Sequence, residues 1–259
     1  MPSYSFKMPR LYLDAALSVG TELELDKQAA NYLVNVMRLD QGAAVLVFNG
    51  HEGEWRADLI ETSKRKARLL IMEATRAQTP PSTIDYLFAP LKHARLDYMV
   101  QKAVEMGVGR LRPVLTEHTQ VTRVNTERMA ANVIEACEQC GVLSVPSVEA
   151  PDKFDRVLAN WAAEAPEKPL LFCDERADGL NAVAALNALK SQGAGPFPKP
   201  LALGLLIGPE GGFSPREREH LKAHAFVHIL PLGPRILRAD TAGVAALAVV
   251  QAVLGDWQG

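Results

Sequence analysis

The chain has 259 residues and a mass of 28.2 kDa, and 48% of its residues are hydrophobic while 22% are charged. This composition is that of a globular protein and excludes a disordered chain, and the length favours either one large domain or a small domain joined to a medium one. The formal net charge of −2 excludes nucleic-acid binding through bulk charge, so any RNA contact must come from local basic patches.

No membrane segment or signal peptide is expected. The longest apolar run, Ala242–Leu254, is too short to cross a bilayer as a helix. The apolar stretch Leu11–Val19 is interrupted by Asp14 and lacks a clean cleavage site of small residues after it. Three cysteines are too few for a disulfide framework, and an odd number fits a reducing compartment. We therefore expect a cytoplasmic protein.

Residues 1–75 are predicted to form a small β-barrel with one helix. Asp26 can cap a helix that runs to Met37, and Asn49-Gly50 is a typical hairpin turn between two strands. The predicted strands, chosen for alternating or continuous apolar residues, are Arg10–Asp14, Thr21–Leu25, Ala43–Phe48, Glu54–Glu61 and Lys66–Glu73.

The segment 76–83 is predicted to be a linker. It carries Pro80 and Pro81 in succession among polar residues, which neither a helix interior nor a central strand accommodates.

Residues 84–259 are predicted to form an α/β domain with a parallel sheet, because strands alternate with helices there. Helices are expected from Arg95 to Met106, after an Asn125 cap, and over Ala242–Leu254. The last is apolar nearly all round, which favours a dimer interface as its second buried surface. The predicted strands are Ile84–Ala89, Val108–Thr116, Pro169–Cys173, Leu201–Ile207 and Phe226–Leu230.

The first motif with chemical content is the segment from Gly208 to Ser214, directly after a predicted strand. Its glycines let the backbone turn sharply and approach a ligand closely. Ser214 and Glu217 then form a capping box, so a helix begins immediately. A glycine-rich turn between strand and helix is where open α/β sheets bind ligands, although a tight turn without a ligand remains an alternative.

The second motif runs from Leu232 to Ala242, with Arg235, Arg238 and Asp240 at the entrance of the last helix. Arginines ahead of a helix N-terminus face an unfavourable dipole, which favours a ligand-binding role over a stabilising one. Asp240 or Thr241 is expected to cap the helix, and solvated loop arginines remain an alternative.

Metal binding is not expected. Cys137 and Cys140 form a lone C-x-x-C late in a helix, where core packing is the better interpretation. His220, His224 and His228 recur every four residues, but His228 falls in a strand and no carboxylate completes the set.

The segments LLIGPEGGFS and LGPRILRADTA closely resemble the signature motifs of the family that methylates uridine N3 in 16S ribosomal RNA, a branch of the SPOUT methyltransferases. MPRLYLD, VMRLDQG, APLKHARLDYMVQKAVEMGV and EACEQCG resemble further family segments in the family's order. This chain departs from the family where Ala239-Asp240-Thr241 stands for Thr-Glu-Thr, and where His118 and Val142 stand for arginines.

The resemblance implies a PUA-like N-terminal barrel, a methyltransferase domain whose C-terminal part forms a trefoil knot, a homodimer, and S-adenosylmethionine as cofactor. It further implies a cofactor pocket at the ends of three strands. The residues that it places there are Glu175, Gly208, Pro209, Glu210, Gly211, Gly212, Leu232, Gly233, Ile236, Leu237 and Arg238.

On this reading, methyl transfer requires an extruded uridine that loses its N3 proton. Arg238 is expected to stabilise the charge that develops on the uracil carbonyls, with Asp240 or Glu210 as the general base. Candidates for RNA phosphate contacts are Arg10, Lys64, Arg65, Lys92, Arg95 and Lys102. The alternatives are a methyltransferase acting on another RNA base or on ribose, and a non-catalytic RNA-binding assembly factor of the ribosome.

Overall fold

The structure, a computed structural model, describes residues 8–63, 66–121, 123–174, 176, 181–192 and 202–258. The chain divides into two compact units. The first consists of Met1–Pro80 with Cys137–Val145, and the second consists of Pro81–Ala136 with Pro146–Gly259.

A five-stranded sheet in the order β1-β3-β4-β5-β2 forms most of the first unit. Strand β1 pairs in parallel with β3, and the other pairs are antiparallel. All five predicted strands are confirmed, with ends shifted by a few residues. Their bounds are β1 Arg10–Tyr12, β2 Glu22–Glu24, β3 Ala44–Phe48, β4 Glu54–Thr62 and β5 Ala67–Arg76.

The helix predicted to begin after Asp26 is shorter than expected. Helix α1, Lys27–Asn31, begins at the predicted cap, where the Asp26 carboxylate accepts a hydrogen bond from the Ala29 amide. A π-helical turn follows over Tyr32–Val36, and the chain leaves it at Arg38, whose φ of 54° lies in the left-handed region. The fully buried Leu33 in this turn packs into the apolar core of the sheet.

A buried carboxylate organises one end of the first unit. Glu54, whose side chain is 4% exposed, accepts from Arg10 Nε at 2.7 Å and from Arg76 Nε at 3.1 Å. The hydroxyl of Thr75 donates to the same carboxylate at 3.0 Å. Burial alone would raise the pKa of Glu54, but these hydrogen bonds and charges outweigh burial and lower it.

The same arginines explain why Cys137–Val145 belongs to the first unit, although the sequence assigned it to the second domain. Arg10 Nη1 donates to the Glu138 carbonyl at 3.1 Å, and Arg76 Nη2 donates to the Gly141 carbonyl at 2.8 Å. The division between Pro80 and Pro81 lies inside the predicted linker 76–83.

A parallel sheet in the order β12-β10-β11-β6-β7-β8 forms the centre of the second unit. All of its pairings are parallel, as the alternation of strands and helices predicts, and β9 pairs with β7 off this path. The strands are β6 Ile84–Phe88, β7 Arg110–Leu115, β8 Ser147–Val148, β9 Asp152–Lys153, β10 Leu170–Phe172, β11 Leu203–Ile207 and β12 Val227–Ile229.

Six helices of the described residues accompany this sheet or lead out of it. Their bounds are α2 His93–Glu105, α3 Thr126–Cys140, α4 Phe154–Glu164, α5 Ala182–Gln192, α6 Pro215–Lys222 and α7 Ala239–Val253, followed by a short 3-10 turn at Asp256–Gln258. Helix α4 was not predicted, although its buried Phe154, Val157 and Trp161 have helical spacing. The Asn125 cap is confirmed, because its side chain accepts from the Arg128 amide.

All three cysteines are free thiols, and Cys140 and Cys173 are partly buried. Cys137 is buried, and burial raises its pKa to about 12. In the described ranges no group of three or more His, Cys, Asp or Glu side chains is placed to hold a metal ion. None of the described helices has the length and the apolar character that crossing a bilayer requires.

The buried carboxylate predicts a defined acid response. Glu54→Gln leaves two arginines without a buried counter-charge, so we expect the free energy of unfolding at pH 7 to fall by about 3 kcal/mol. Because the folded-state pKa of Glu54 is lowered, its contribution is present above its ordinary pKa of 4.5 and is lost as the pH falls below that value.

Chemical denaturation at pH 7 and pH 3.5 measures both effects. The wild type should lose more stability than Glu54→Gln between these pH values. Glu73→Gln is the matched control, because it removes an exposed carboxylate paired with Arg56 on the same sheet and should change stability by less than about 0.5 kcal/mol. An equal fall in the free energy of unfolding at pH 7 for Glu54→Gln and Glu73→Gln would contradict the stabilising role of Glu54.

Candidate functional site

Both glycine-containing segments singled out in the sequence follow strands that end at one edge of the parallel sheet. In register, Ile207 at the end of β11 lies beside Phe88 at the end of β6, and Phe172 of β10 lies beside Ile229 of β12. Because these strands are parallel, the loops after all four emerge at the same edge. The chain order reverses between β11 and β6, which is the switch point where open α/β sheets bind ligands.

The first loop, residues 208–213, is packed tightly against its own aromatic residue. A Cβ on Gly208 would lie 2.6 Å from the buried Phe213 ring, so only glycine fits there. Gly212 has a φ of +68° and donates its amide to the Pro209 carbonyl at 2.9 Å. The glycines therefore allow close packing and a sharp turn, and the loop tip at Glu210 and Gly211 is exposed.

The capping box predicted after this loop is confirmed, and it reaches further than the sequence indicated. The Glu217 carboxylate accepts from the Ser214 amide at 3.0 Å and from the Glu117 amide at 2.9 Å. His118 Nδ1 lies 3.0 Å from the Gly212 carbonyl oxygen. The loop after β7 thus supports the glycine loop from behind, a contact that the spacing of these residues does not reveal.

The second loop, residues 230–238, is more open. A Cβ on Gly233, whose φ is +90°, would meet nothing within 4 Å. Ile236 is 91% exposed, Arg235 and Arg238 are exposed, and Leu232 and Leu237 are partly buried. This loop therefore offers free space and two cations at the same edge.

An arginine from a third segment joins the first loop to the start of α7. Arg95, in the first turn of α2, donates from Nε to Asp240 at 2.9 Å and from Nη1 to Glu210 at 2.5 Å. Its remaining nitrogen, Nη2, is buried and has no hydrogen-bond partner among the described residues. The sequence predicts that Arg95 contacts an RNA phosphate, but in the structure two carboxylates of the site engage it.

This pairing also corrects the start of the last helix. Helix α7 begins at Ala239 with Arg238 as its N-cap residue, and no side chain caps it, so the prediction that Asp240 or Thr241 is the cap is wrong. The Asp240 carboxylate instead accepts from Arg95 and from the Thr241 amide at 2.8 Å. The hydrogen bond from Arg95 is the largest cause of the lowered pKa of Asp240.

The packing beneath α7 is equally close. A Cβ on Gly243 would lie 2.2 Å from the Tyr86 hydroxyl, which is buried and has no hydrogen-bond partner in the described part of the chain. Burial raises the pKa of Tyr86, so the phenol is neutral. Gly243 therefore lets the first turns of α7 lie directly on β6.

The third predicted wall, at the end of β10, is described only in part because Glu175 lies outside the described residues. The neighbouring Asp174 is buried, forms an ion pair with Arg218 of α6 and accepts from the Arg176 amide at 3.0 Å. This ion pair ties the end of β10 to the helix that follows the glycine loop.

The predicted RNA-binding residues fall into three groups. Arg10 and Arg95 are engaged in the internal ion pairs described above. Lys92 is exposed at the start of α2, and Lys102 bonds to Glu105 and lies over the Tyr98 ring. Lys64 and Arg65 lie outside the described residues.

Two protein families match the chain. An RNA methyltransferase domain matches residues 78–251, and an RNA methyltransferase PUA domain matches residues 25–72. Among curated relatives, ribosomal RNA small subunit methyltransferase E of Synechocystis is 32% identical over 256 residues, which cover 97% of this chain and 80% of the relative. The protein of that name from Rickettsia conorii is 27% identical over 246 residues, covering 95% and 96%.

Two solved structures extend the similarity to three dimensions. Ribosomal RNA small subunit methyltransferase E from Neisseria gonorrhoeae, bound to S-adenosylmethionine, has a TM-score of 0.81 and 29% identity over 97% of this chain and all of the other. A methyltransferase from Legionella pneumophila, in complex with the same cofactor, has a TM-score of 0.80 and 27% identity over 96% and 99%.

Proposed function

The chain belongs to the RNA methyltransferase family, whose domain spans residues 78–251, and on that basis we propose that it methylates small-subunit ribosomal RNA with S-adenosylmethionine as methyl donor. The finer proposal is that the acceptor is N3 of a specific uridine in 16S RNA. The observation that carries the proposal is that both glycine-containing loops leave the same edge of the parallel sheet, the first of them at its switch point, and that Arg95 bonds to Glu210 in the first loop and to Asp240 directly after the second.

The residues at this edge fit the cofactor. Open space in front of Gly233 leaves room for a ligand against the backbone, and the exposed tip of the glycine loop lies at the same edge. We propose that Gly208–Gly212 and Leu232–Arg238 hold it mainly through backbone groups. Glu175 is retained as a candidate from the family resemblance.

When bound, S-adenosylmethionine supplies a methyl group on a sulfonium, which is already a strong methyl donor. The protein then has to align donor and acceptor and to hold the uracil outside its base pair. As the N3–carbon bond forms and the sulfur–carbon bond breaks, the proton of N3 must pass to a base. We propose that the exposed guanidinium of Arg238, which lies at the entrance of α7, stabilises negative charge on the uracil carbonyls.

Of the two candidate bases, Glu210 is the one that we retain. The Asp240 side chain is 15% exposed and its pKa is lowered by Arg95, which makes it a weak proton acceptor. The Glu210 side chain is 42% exposed, and Arg95 bonds to its Oε1, so Oε2 can accept the proton without breaking that bond.

The proposed reaction predicts a specific loss of one nucleoside. Mass spectrometry of nucleosides from 16S RNA should show 3-methyluridine in cells with the gene and none in cells without it. Complementation with Arg238→Ala should restore less than about one hundredth of the methylation rate, because the stabilising cation is lost. Unchanged 3-methyluridine in the deletion strain, or a lost ribose methylation instead, would contradict the N3 assignment.

For RNA binding we propose a contact from the exposed Lys92, and we retain Lys64 and Arg65, which lie outside the described residues, as candidates from the sequence. Arg10, Arg95 and Lys102 are not retained, since carboxylates engage all three. In the first unit Arg38 is added, because it is exposed and its backbone adopts a strained positive φ after a π-helical turn, features that cluster at functional sites.

Arg38→Ala tests this addition through the salt dependence of RNA affinity. Loss of one phosphate contact should weaken binding and reduce the slope of log affinity against log salt by about 1. Arg56→Ala is the control, because it removes the same charge from a guanidinium already held by Asp58 and Glu73. Identical slopes for the two variants would remove Arg38 from the interface.

We also propose that the protein is a homodimer with a knotted C-terminal part, located with its substrate in the cytoplasm. The dimer is supported by the exposed Ile236 and by Val244 and Val249 of α7, which are only partly buried. Light scattering should give a particle of twice 28.2 kDa, and a mass of one chain at micromolar concentration would contradict the dimer.

A further inference from the structure

We propose that Arg95 is a positioning residue that holds the glycine loop and the start of α7, which directly follows the second loop, at a fixed separation, a role that rests on the proposed function. The three residues Glu210, Arg95 and Asp240 are called the Arg95 clamp. In this proposal the clamp presets the site for S-adenosylmethionine, and Asp240 acts as the partner of Arg95 and not as a base.

The geometry of the Arg95 clamp restricts both of its carboxylates. Glu210 belongs to the glycine loop and Asp240 to the first turn of α7, and the described residues join them through one guanidinium from α2. A guanidinium is planar and rigid, so two bonds from one such group restrict both the distance and the mutual orientation of its acceptors. Without this shared guanidinium, the glycine loop would be free to move relative to the start of α7.

Arg95 and Asp240 also stabilise each other's charged form. The hydrogen bond from Arg95 is the largest cause of the lowered pKa of Asp240, and the bond to Asp240 is the largest cause of the raised pKa of Arg95. Both groups are therefore charged throughout the neutral range. The Asp240 side chain is mostly buried, where water screens the interaction less than it screens an ordinary surface pair.

The guanidinium of Arg95 has few donors left for an RNA phosphate. Two of its nitrogens are bound to carboxylates, and Nη2 is buried. A phosphate of RNA would have to displace a carboxylate to reach this guanidinium. The contacts therefore favour a role inside the site over a role in RNA docking.

The proposal predicts a particular division of kinetic effects. Without the clamp, the glycine loop and the start of α7 must be ordered when the cofactor binds, so the affinity of the protein for the cofactor falls. The groups that act on the uracil remain in place. Arg95→Gln should raise the Kd and the KM for S-adenosylmethionine about tenfold, which corresponds to about 1.4 kcal/mol. Its kcat at saturating cofactor should stay within about threefold of the wild type.

A double-mutant cycle isolates the interaction. Isothermal titration calorimetry of S-adenosylmethionine would be measured for the wild type, Arg95→Gln, Asp240→Asn and the double variant. If the clamp acts as one unit, the double variant should bind about as weakly as either single variant. Affinity losses that multiply to about a hundredfold would overturn the proposal, as would a wild-type Kd in Arg95→Gln.

Two further variants serve as controls. Arg128→Gln removes an exposed ion pair with Asp97 of α2, at 2.5 Å, and should leave the Kd within about twofold. Arg95→Lys keeps the charge but loses the planar fork, so its Kd should lie between those of the wild type and Arg95→Gln. It also provides a folded variant if Arg95→Gln does not fold.

A readout without cofactor separates this proposal from the proposed function. The charged groups that act on Asp240 are Arg95 and Arg238, and the neutral Tyr86 lies near it. In the cofactor-free protein, Arg95→Gln should raise the Asp240 pKa, and Arg128→Gln should leave it unchanged. Carbon-detected NMR of the Asp240 carboxyl group measures this pKa in each variant.

If the wild type does not bind the cofactor, the proposed function is wrong. The titration of the Asp240 carboxyl group then still tests its pairing with Arg95. Binding by the wild type together with an unshifted Asp240 pKa in Arg95→Gln would remove the clamp alone.

Discussion

Parallel pairing of β6, β11, β10 and β12 is the constraint on which the site depends. Because neighbouring strands run in the same direction, each must be followed by a connection that begins at the same edge of the sheet. This edge collects the start of α2, the end of β10, the glycine loop and the entrance of α7. Arg95 and Asp240, separated by 145 residues in sequence, form an ion pair as a direct result.

The glycines around the site serve two different purposes. Gly208 and Gly243 lie where a side chain would collide with Phe213 or with Tyr86, so they let the glycine loop and α7 pack closely. Gly233 faces open space, and its absent side chain leaves room in front of the backbone. Some glycines at a ligand site are therefore required by the packing behind the ligand, and others leave room for the ligand itself.

Local signals in the sequence predicted those features that depend on neighbouring residues. The Asp26 cap, the Ser214–Glu217 capping box and the parallel sheet follow from short spacings and from the alternation of strands and helices. Helix α4 could have been predicted in the same way from the spacing of its apolar residues.

The remaining features depend on contacts between distant residues, which spacing does not encode. Helix α7 begins at Ala239 and has no side-chain cap, since Arg95 and the Thr241 amide engage the Asp240 carboxylate. Cys137–Val145 joins the first unit because arginines bind its backbone carbonyls. Arg10 and Arg95 are predicted from the sequence to contact RNA phosphates, because sequence alone does not show their carboxylate partners.

The most direct test of the account is a map of backbone amide shifts when S-adenosylmethionine is added to the folded protein. We expect the largest changes on Gly208–Gly212 and Leu232–Arg238, with a smaller change at Arg95, whose Nε bonds to Asp240 and whose Nη1 bonds to Glu210. Changes confined to other parts of the chain, or no saturable change at millimolar cofactor, would contradict it.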